Sequence, residues 1–292
     1  MMKQTSHSKC EVFRECPLRG YFSHIAHLDP DLVKAKDYAF TGSYVHNSIE
    51  KWFLKYMADK EIDFATLVEP GKHFSRTMDE IYRENQHTII DEVDDESIVI
   101  CLNNFVDYMA RRLRYLRIKN LAHKFLPIAI EKEFTKEING VPFHGFIDVI
   151  FEDEKVWVMD WKTNKDGHIS DAYVRQGTRY AMLVEDDFGI KLNECYFINL
   201  RSIVNTNRAR VLITEEMKKA QEKELKDLWD VMNGTQFPKS PDSKPCFFCD
   251  YKIRCKRYPL NGVTVDLNEI ETTAPIQVAT AVTTQDPMSD WW

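Results

Sequence analysis

The chain has 292 residues, 43% of them hydrophobic and 12% aromatic, which suffices for a large buried core and excludes a disordered chain. Its formal charge of −7 argues against a broad polyanion-binding surface. No apolar run reaches membrane-spanning length and the start, Met1-Met2-Lys3-Gln4-Thr5, has no apolar leader, so a cytoplasmic location is expected, without membrane association and with seven reduced cysteines rather than disulfides.

In chain order, an N-terminal helical segment carrying Phe13, Leu18, Tyr21 and Phe22 leads to a loop at Asp29-Pro30-Asp31. Hydrophobic spacing predicts helices over 42–59, 74–90 and 96–119. The last ends in Arg111-Arg112-Leu113-Arg114-Tyr115-Leu116-Arg117-Ile118-Lys119, a basic run broken by apolar residues at helical spacing. Such an end suits DNA phosphates and equally complements a helix dipole, and both readings stand. Strands are predicted over 128–134, 141–151, 156–161, 193–200 and 209–213, interrupted by a helix over 172–185. A helix over 214–232 then runs toward a cysteine-rich segment. The fold class is therefore α/β, with a mixed sheet flanked by helices and a crossover helix. One domain is expected over 1–258, with its helical part at about 42–120 and its sheet at about 127–213. From about Pro259 the periodicity fades, and residues 259–292 read as a disordered acidic tail. That tail carries −5, which leaves −2 for residues 1–257. Its end, Asp286-Pro287-Met288-Ser289-Asp290-Trp291-Trp292, sets two aromatics beside acids, suited to docking on a partner or to folding back on its own domain.

Most of the chemistry is concentrated in one hairpin. Gly145-Phe146-Ile147-Asp148 is followed twelve residues after Asp148 by Asp160-Trp161-Lys162, and the residues between are two apolar segments around a charged turn centred near Glu154. Asp148 and Asp160 are equidistant from that centre, so an antiparallel hairpin sets them opposite each other, within reach of one divalent cation. Lys162 shares the strand face of Asp160, while Trp161 points to the other. The second strand is apolar on both faces, and a carboxylate buried there requires a metal or a cationic partner.

The cysteines form a second constellation. Cys246-Phe247-Phe248-Cys249 and Cys255 give a C-x2-C-x5-C spacing, three thiolates for a metal that needs four. Cys16, in Cys16-Pro17, is the natural fourth ligand and Cys10 an alternative; Cys101 and Cys195 fall in apolar core patterns. Spacing alone does not separate zinc from an iron-sulfur cluster.

These residues resemble the PD-(D/E)XK nucleases, and within them the RecB-like branch that includes the CRISPR-associated RecB-like exonucleases, over most of residues 8 to 258. The resemblance rests on the hairpin, on His46 following Gly42-Ser43-Tyr44-Val45, on Glu131 or Glu133 in the preceding strand, on Gln176 and Tyr180 four apart, and on the four cysteines. It implies a restriction-endonuclease-like sheet with an N-terminal helical insertion and a four-cysteine clamp. It further implies that His46, Asp148, Asp160 and the Trp161 carbonyl hold Mg2+ or Mn2+, that Lys162, Gln176 and Tyr180 complete the site, and that Cys16, Cys246, Cys249 and Cys255 hold a 4Fe-4S cluster rather than Zn2+. The implied activity is exonucleolytic cleavage of single-stranded DNA or DNA ends in repair, recombination or phage metabolism, in the host cytoplasm if phage-encoded. No phosphate-binding motor loop occurs, so any helicase is a separate partner, as a single-strand-binding or recombination protein docked on the tail would be. CRISPR spacer processing and a noncatalytic DNA-binding recombination scaffold are the alternatives.

Overall fold

The protein, a computed structural model, is described over residues 2–31, 37–86, 95–164, 170–201, 208–240, 246 and 249–265. The single domain expected over 1–258 divides into two compact units, one of Ala35–Phe134 with Phe146–Lys218, the other of Met1–Lys34, Thr135–Gly145 and Lys219–Trp292.

The first unit joins three long helices to most of a sheet. Helix α3 spans Asp37–Ala58, α4 Pro70–Asn85 and α5 Asp95–Ile118. In α5, Asp95 and Glu96 complement the dipole at the first turn, and Ile98, Cys101, Leu102, Phe105, Met109, Leu113 and Leu116 form one buried stripe at helical spacing. Helix α4 begins four residues before its expected start because Pro70 occupies the first turn, where a missing N–H costs nothing. The core between the helices is aromatic. Trp52 is fully buried, meets Phe74 and Phe105 edge-on at 5.1 Å each, and donates its indole N–H to the Phe74 carbonyl at 3.3 Å. Truncating a residue so placed costs on the order of 3–5 kcal/mol.

Five strands lie in the order β1-β2-β3-β4-β5: Ala129–Ile138, Val141–Glu152, Val156–Lys162, Glu194–Asn199 and Arg208–Leu212. Strands β2 and β3 pair antiparallel with Val149 opposite Met159 and Glu152 opposite Val156, which centres the turn on Glu154 as the sequence predicts. Helix α6, Asp171–Phe188, crosses over so that β4 pairs parallel to β3, and β5 returns antiparallel to β4. Strand β3 is thus central, and Val149, Phe151, Met159 and Trp161 share one hydrophobic core with α3, α4 and α5. Strand β1 outruns its expected end because Asn139-Gly140, with φ of 49° and 75°, supplies the two left-handed residues of a tight hairpin turn.

Two cations of the basic end of α5, Arg112 and Arg117, are committed to packing, while Arg111, Arg114 and Lys119 are exposed. Arg112 is 7% exposed, grips Asp153 with two hydrogen bonds of 2.6 and 2.7 Å, and lies 4.0 Å from the centre of the Phe151 ring. Arg117 donates to the carbonyls of Phe64 and Leu67. The expectation that this run meets phosphates is corrected for these two residues, whose guanidinium groups already satisfy internal acceptors.

The second unit gathers both ends of the chain. Helix α1, His7–Glu15, is capped by Ser6 and followed by α2, Pro17–Gly20, and a π-helical turn, Tyr21–Ile25. Helix α7, Glu215–Met232, enters from the first unit, and β6, Gln236–Phe237, pairs antiparallel with β7, Val263–Thr264. Between them α8 spans Lys252–Cys255. Asp31 accepts from the Arg254 backbone N–H at 2.5 Å and from its Nε at 3.2 Å, and the Tyr251 hydroxyl donates to the Leu28 carbonyl. The expected boundary of disorder at Pro259 is corrected here. The chain turns at Pro259–Gly262 and pairs again through β7, which a side chain at Gly262 would prevent, since its Cβ would lie 1.8 Å from the Phe237 carbonyl. The rest of the tail, including Asp286 to Trp292, lies outside the described residues, as do Phe247 and Phe248. Among the described residues no helix is long and apolar enough to cross a membrane.

Candidate active site

The alternation of β3 sends Asp160 and Lys162 toward α6 and Trp161 toward α5, where its ring meets Phe105 at 5.3 Å and Tyr108 at 5.7 Å. Asp148 comes from the adjacent β2. Its Oδ2 accepts the Trp161 backbone N–H at 2.7 Å, which ties the two carboxylate-bearing strands together at the site. Asp148 and Asp160 are 7% and 2% exposed.

Asp160 is surrounded by donors. The Lys162 ammonium lies 2.7 Å from its Oδ2. The Tyr180 hydroxyl donates to Oδ1 at 2.9 Å, and the Gln176 amide donates to the same oxygen at 3.0 Å. Gln176 also accepts from Lys162 at 3.0 Å and donates to the Tyr180 hydroxyl at 2.6 Å. Gln176 and Tyr180 face the site together because they lie one turn apart on α6. Gly177, on the helix between them, lets α6 settle against β4: a Cβ there would sit 3.2 Å from that of Cys195.

On the other side of Asp148, His46 projects from α3. Its Nε2 lies 3.0 Å from the Trp161 carbonyl, and its Nδ1 lies 3.5 Å from both Glu131 Oε1 and Asp148 Oδ2. Glu131 has a left-handed backbone, φ 40°, within a strand, a conformation costly for a side-chain-bearing residue and concentrated at functional sites. Glu133, two residues on, is exposed, so the structure brings only Glu131 to the site.

The charges reinforce one another. Burial disfavours the His46 imidazolium, but the charges of Asp148, Glu131 and Asp160 outweigh it and push its pKa up to about 9. Burial, then the Asp160 charge, raises the Asp148 carboxyl well above the ordinary carboxylate range. Burial opposes the Lys162 ammonium too, yet Asp160 and Asp148 raise its pKa above the ordinary lysine value. Such a concentration of buried negative charge calls for positive charge. One ligand atom each from His46, Glu131 and Asp148 lies within 4.8 Å of the others, and Glu131 Oε2 is buried without a hydrogen-bond partner. A nitrogen, carboxylate oxygens and the nearby Trp161 carbonyl fit a hard divalent cation.

Two residues that the sequence reading did not single out flank Lys162. Its ammonium lies 5.0 Å from the centre of the Tyr173 ring and 5.4 Å from that of Phe197. Tyr173 falls one helical turn before Gln176, a position that could have marked it.

In the other unit, Cys16, Cys246, Cys249 and Cys255 line a single pocket, together with Arg19, Lys239 and Tyr251 among others. All four thiols are free of disulfides. The Ser240 backbone N–H donates to Cys16 Sγ at 3.3 Å. The Cys255 thiol is pushed up by burial, with Lys239 opposing and the neighbouring Cys16, Cys249 and Cys246 adding to the rise. Four converging thiols suit a tetrahedral thiolate site. Cys10 does not line this pocket; it is fully buried, with its sulfur 3.4 Å from the Thr5 hydroxyl, while Cys101 and Cys195 are core residues as expected.

A family model of the PD-(D/E)XK nuclease superfamily matches residues 4–256. Among solved structures, the chain is similar to a "Putative exonuclease" from Eubacterium rectale, with 13% identity over 93% of this chain and 94% of that one and a TM-score of 0.48. It is also similar to the protein SSO0001, with 14% identity over 75% of this chain and 98% of that one and a TM-score of 0.33. Comparison with curated proteins finds no match.

Proposed function

From the premise that the chain belongs to the PD-(D/E)XK nuclease superfamily, we propose that it is a metal-dependent deoxyribonuclease of the RecB-like branch. It acts as an exonuclease on single strands or DNA ends, in repair, recombination or phage DNA metabolism. The observation that carries this reading is the joining of two half-sites on adjacent strands. The His46, Glu131 and Asp148 donor set meets, through the Asp148 to Trp161 hydrogen bond, the Asp160 carboxylate held by Lys162, Gln176 and Tyr180.

His46, Glu131, Asp148, Asp160 and the Trp161 carbonyl would hold Mg2+ or Mn2+. When bound, the cation supplies Lewis acidity toward the phosphodiester and a more acidic water. The chain's own groups do the positioning. Lys162, paired with Asp160, would orient the attacking water and stabilise negative charge developing on a phosphoryl oxygen. Gln176 orients the Lys162 ammonium through its carbonyl and Asp160 through its amide, so the helix fixes both groups relative to one another. Tyr180 fixes the rotation of the Asp160 carboxylate.

Cys16, Cys246, Cys249 and Cys255 would hold a 4Fe-4S cluster, with Zn2+ as the alternative. When bound, the cluster supplies a cross-link between the first and last segments of its unit. That link closes a loop of 230 residues and restricts the unfolded chain accordingly.

The test is anaerobic purification followed by digestion of end-labelled single- and double-stranded DNA with Mn2+ or Mg2+, comparing wild type with Lys162→Ala and recording visible absorbance. The expected result is a brown protein whose metal-dependent cleavage falls at least about 10²-fold in the variant. A brown wild type that leaves DNA intact defeats the nuclease reading. A colourless protein that contains zinc and still cuts defeats only the iron-sulfur assignment.

A further inference from the structure

Lys162 is held on two sides by groups of different kinds. On one side are hydrogen-bond acceptors, Asp160 Oδ2 at 2.7 Å and Gln176 Oε1 at 3.0 Å. On the other are the faces of two aromatic rings, Tyr173 with its centre at 5.0 Å and Phe197 at 5.4 Å. These rings are themselves stacked, with centres 5.0 Å apart and planes at 12°, and Phe197 is 2% exposed. The ammonium is therefore nearly equidistant from two packed rings, one of them, Phe197, buried and the other, Tyr173, partly exposed. The wall they form is also anchored beyond Lys162. The Tyr173 hydroxyl donates to the Asn164 side-chain oxygen at 3.3 Å, and Asn199 donates to the Asn164 backbone carbonyl at 2.7 Å. The Lys162 carbonyl accepts from the Leu200 N–H at 2.7 Å, which pins the end of β3 to β4.

Why such a wall is needed follows from the neighbouring charges. Asp160 is asked to serve two cations, the Lys162 ammonium and the divalent ion. Were that carboxylate's charge drawn toward a metal, its hold on Lys162 would weaken and leave the Gln176 carbonyl as the hydrogen-bond acceptor for a flexible four-carbon side chain. An aromatic face attracts an ammonium without neutralising it or competing for the metal, because the attraction comes from the ring's quadrupole.

We propose that Tyr173, packed against Phe197, is a positioning residue for Lys162, one that would keep the ammonium directed at the reacting phosphate were Asp160 to engage a metal. This rests on the nuclease reading. The ring face performs the role; the hydroxyl serves only to fasten the Asn164 loop. The effect belongs to the chemical step and not to the hold on DNA.

The experiment compares wild type, Tyr173→Phe and Tyr173→Leu. Leucine keeps helix propensity and much of the apolar volume while removing the ring, so folding is preserved on a partly exposed helix position. Steady-state cleavage of a single-stranded oligonucleotide with Mn2+, oligonucleotide affinity in Ca2+, and thermal midpoint are measured for each. Tyr173→Leu is expected to lower kcat about tenfold, the size of a partly desolvated cation–π contact, with KM and affinity within about twofold. Tyr173→Phe is expected to stay within about threefold of wild type, as the hydroxyl carries only an ordinary hydrogen bond. An unchanged kcat in Tyr173→Leu overturns the proposal, as does an equal loss in Tyr173→Phe or a loss confined to KM, which would make Tyr173 a DNA contact.

A second measurement does not depend on activity. In protein labelled with 13C at the lysine ε-carbon, the Lys162 signal, assigned by its disappearance in Lys162→Ala, should be shifted upfield by the ring currents of both walls. The shift should shrink in Tyr173→Leu and persist in Tyr173→Phe. An Lys162 signal at the position of solvent-exposed lysines overturns the proposal even if the wild type never cuts DNA. An inactive wild type with a shifted signal overturns the nuclease reading and leaves the wall standing.

Discussion

The two metal-competent regions of this chain are built on opposite principles. Around Asp148 and Asp160 the protein supplies the order itself: carboxylates, ammonium, amide and hydroxyl are joined by hydrogen bonds whose donors and acceptors lie on β2, β3 and α6. Around the cysteines the pocket is sulfur, the side chains of Leu18, Phe22 and Tyr251 and the cations Arg19 and Lys239, and a backbone N–H, that of Ser240, donates to Cys16 Sγ. A site whose groups bond one another in this way holds most of its shape when its ion leaves, whereas thiolates brought together from residues 16 and 246–255 depend on the ion that binds them. Catalysis benefits from the first arrangement, because groups held in place pay no reorganisation during reaction. The second stores stability in the metal.

The widest separation between the regions should appear on metal removal. Stripping divalent ions with EDTA should abolish cleavage while moving the thermal midpoint by no more than about 2 °C, a change of about 1 kcal/mol for a chain of this size. Destroying the cysteine-bound group, by oxidation or by Cys249→Ser, should cost about 2–5 kcal/mol, as loss of a long cross-link does, and should open residues 246–258 to protease. Calorimetry and limited proteolysis read both, and equal destabilisation by the two treatments would erase the contrast.

Within the network, single groups should have graded effects. Lys162→Ala removes the cation that faces developing charge and should lower kcat about 10²- to 10³-fold with unchanged DNA affinity. Glu131→Gln should weaken activation by Mn2+ about 10- to 100-fold, in line with other losses at the edge of a metal site, while Glu133→Gln should match wild type. A metal titration of the cleavage rate distinguishes them, and a larger effect at Glu133 would move the donor set away from His46.

How much of this was legible in the sequence differs between the regions for the same physical reason. Short-period patterns reveal local structure. The run from Val156 to Trp161, apolar on both faces, and the symmetric placement of Asp148 and Asp160 about Glu154 announced the hairpin and its central position, and strand alternation put Asp160 and Lys162 on one face. The Asn139-Gly140 turn was equally local, and the signal of two residues suited to left-handed backbone was there to be read. What pattern could not give was the choice between Glu131 and Glu133. Both occupy one face of an ideal strand, and the choice turned on the left-handed backbone at Glu131, set by tertiary packing. The same holds for Arg112 and Arg117, whose basic spacing looked like a surface until Asp153, Phe64 and Leu67 were seen to absorb them. Tyr173 is a similar case: an aromatic on α6 gains meaning only when β3 delivers Lys162 to its face.

The smallest expected effect probes the redundancy that makes the active region self-supporting. Tyr180 and Gln176 donate to the same oxygen of Asp160, at 2.9 and 3.0 Å, and also bond each other. Removing the hydroxyl alone, with Tyr180→Phe, leaves the amide donor in place and the ring packed, so kcat should fall only about three- to tenfold, the worth of one ordinary hydrogen bond. Gln176→Leu should do somewhat more, because it also frees the Lys162 ammonium from an acceptor. The double variant should then lose more than the product of the two single effects, since the last donor from α6 to that oxygen disappears only when both are gone. Single-turnover rates at saturating Mn2+ give the coupling directly. Simple multiplicativity would mean that the two donors act independently on Asp160, and that the active region is an assembly of separate contacts and no more cooperative than the cysteine pocket.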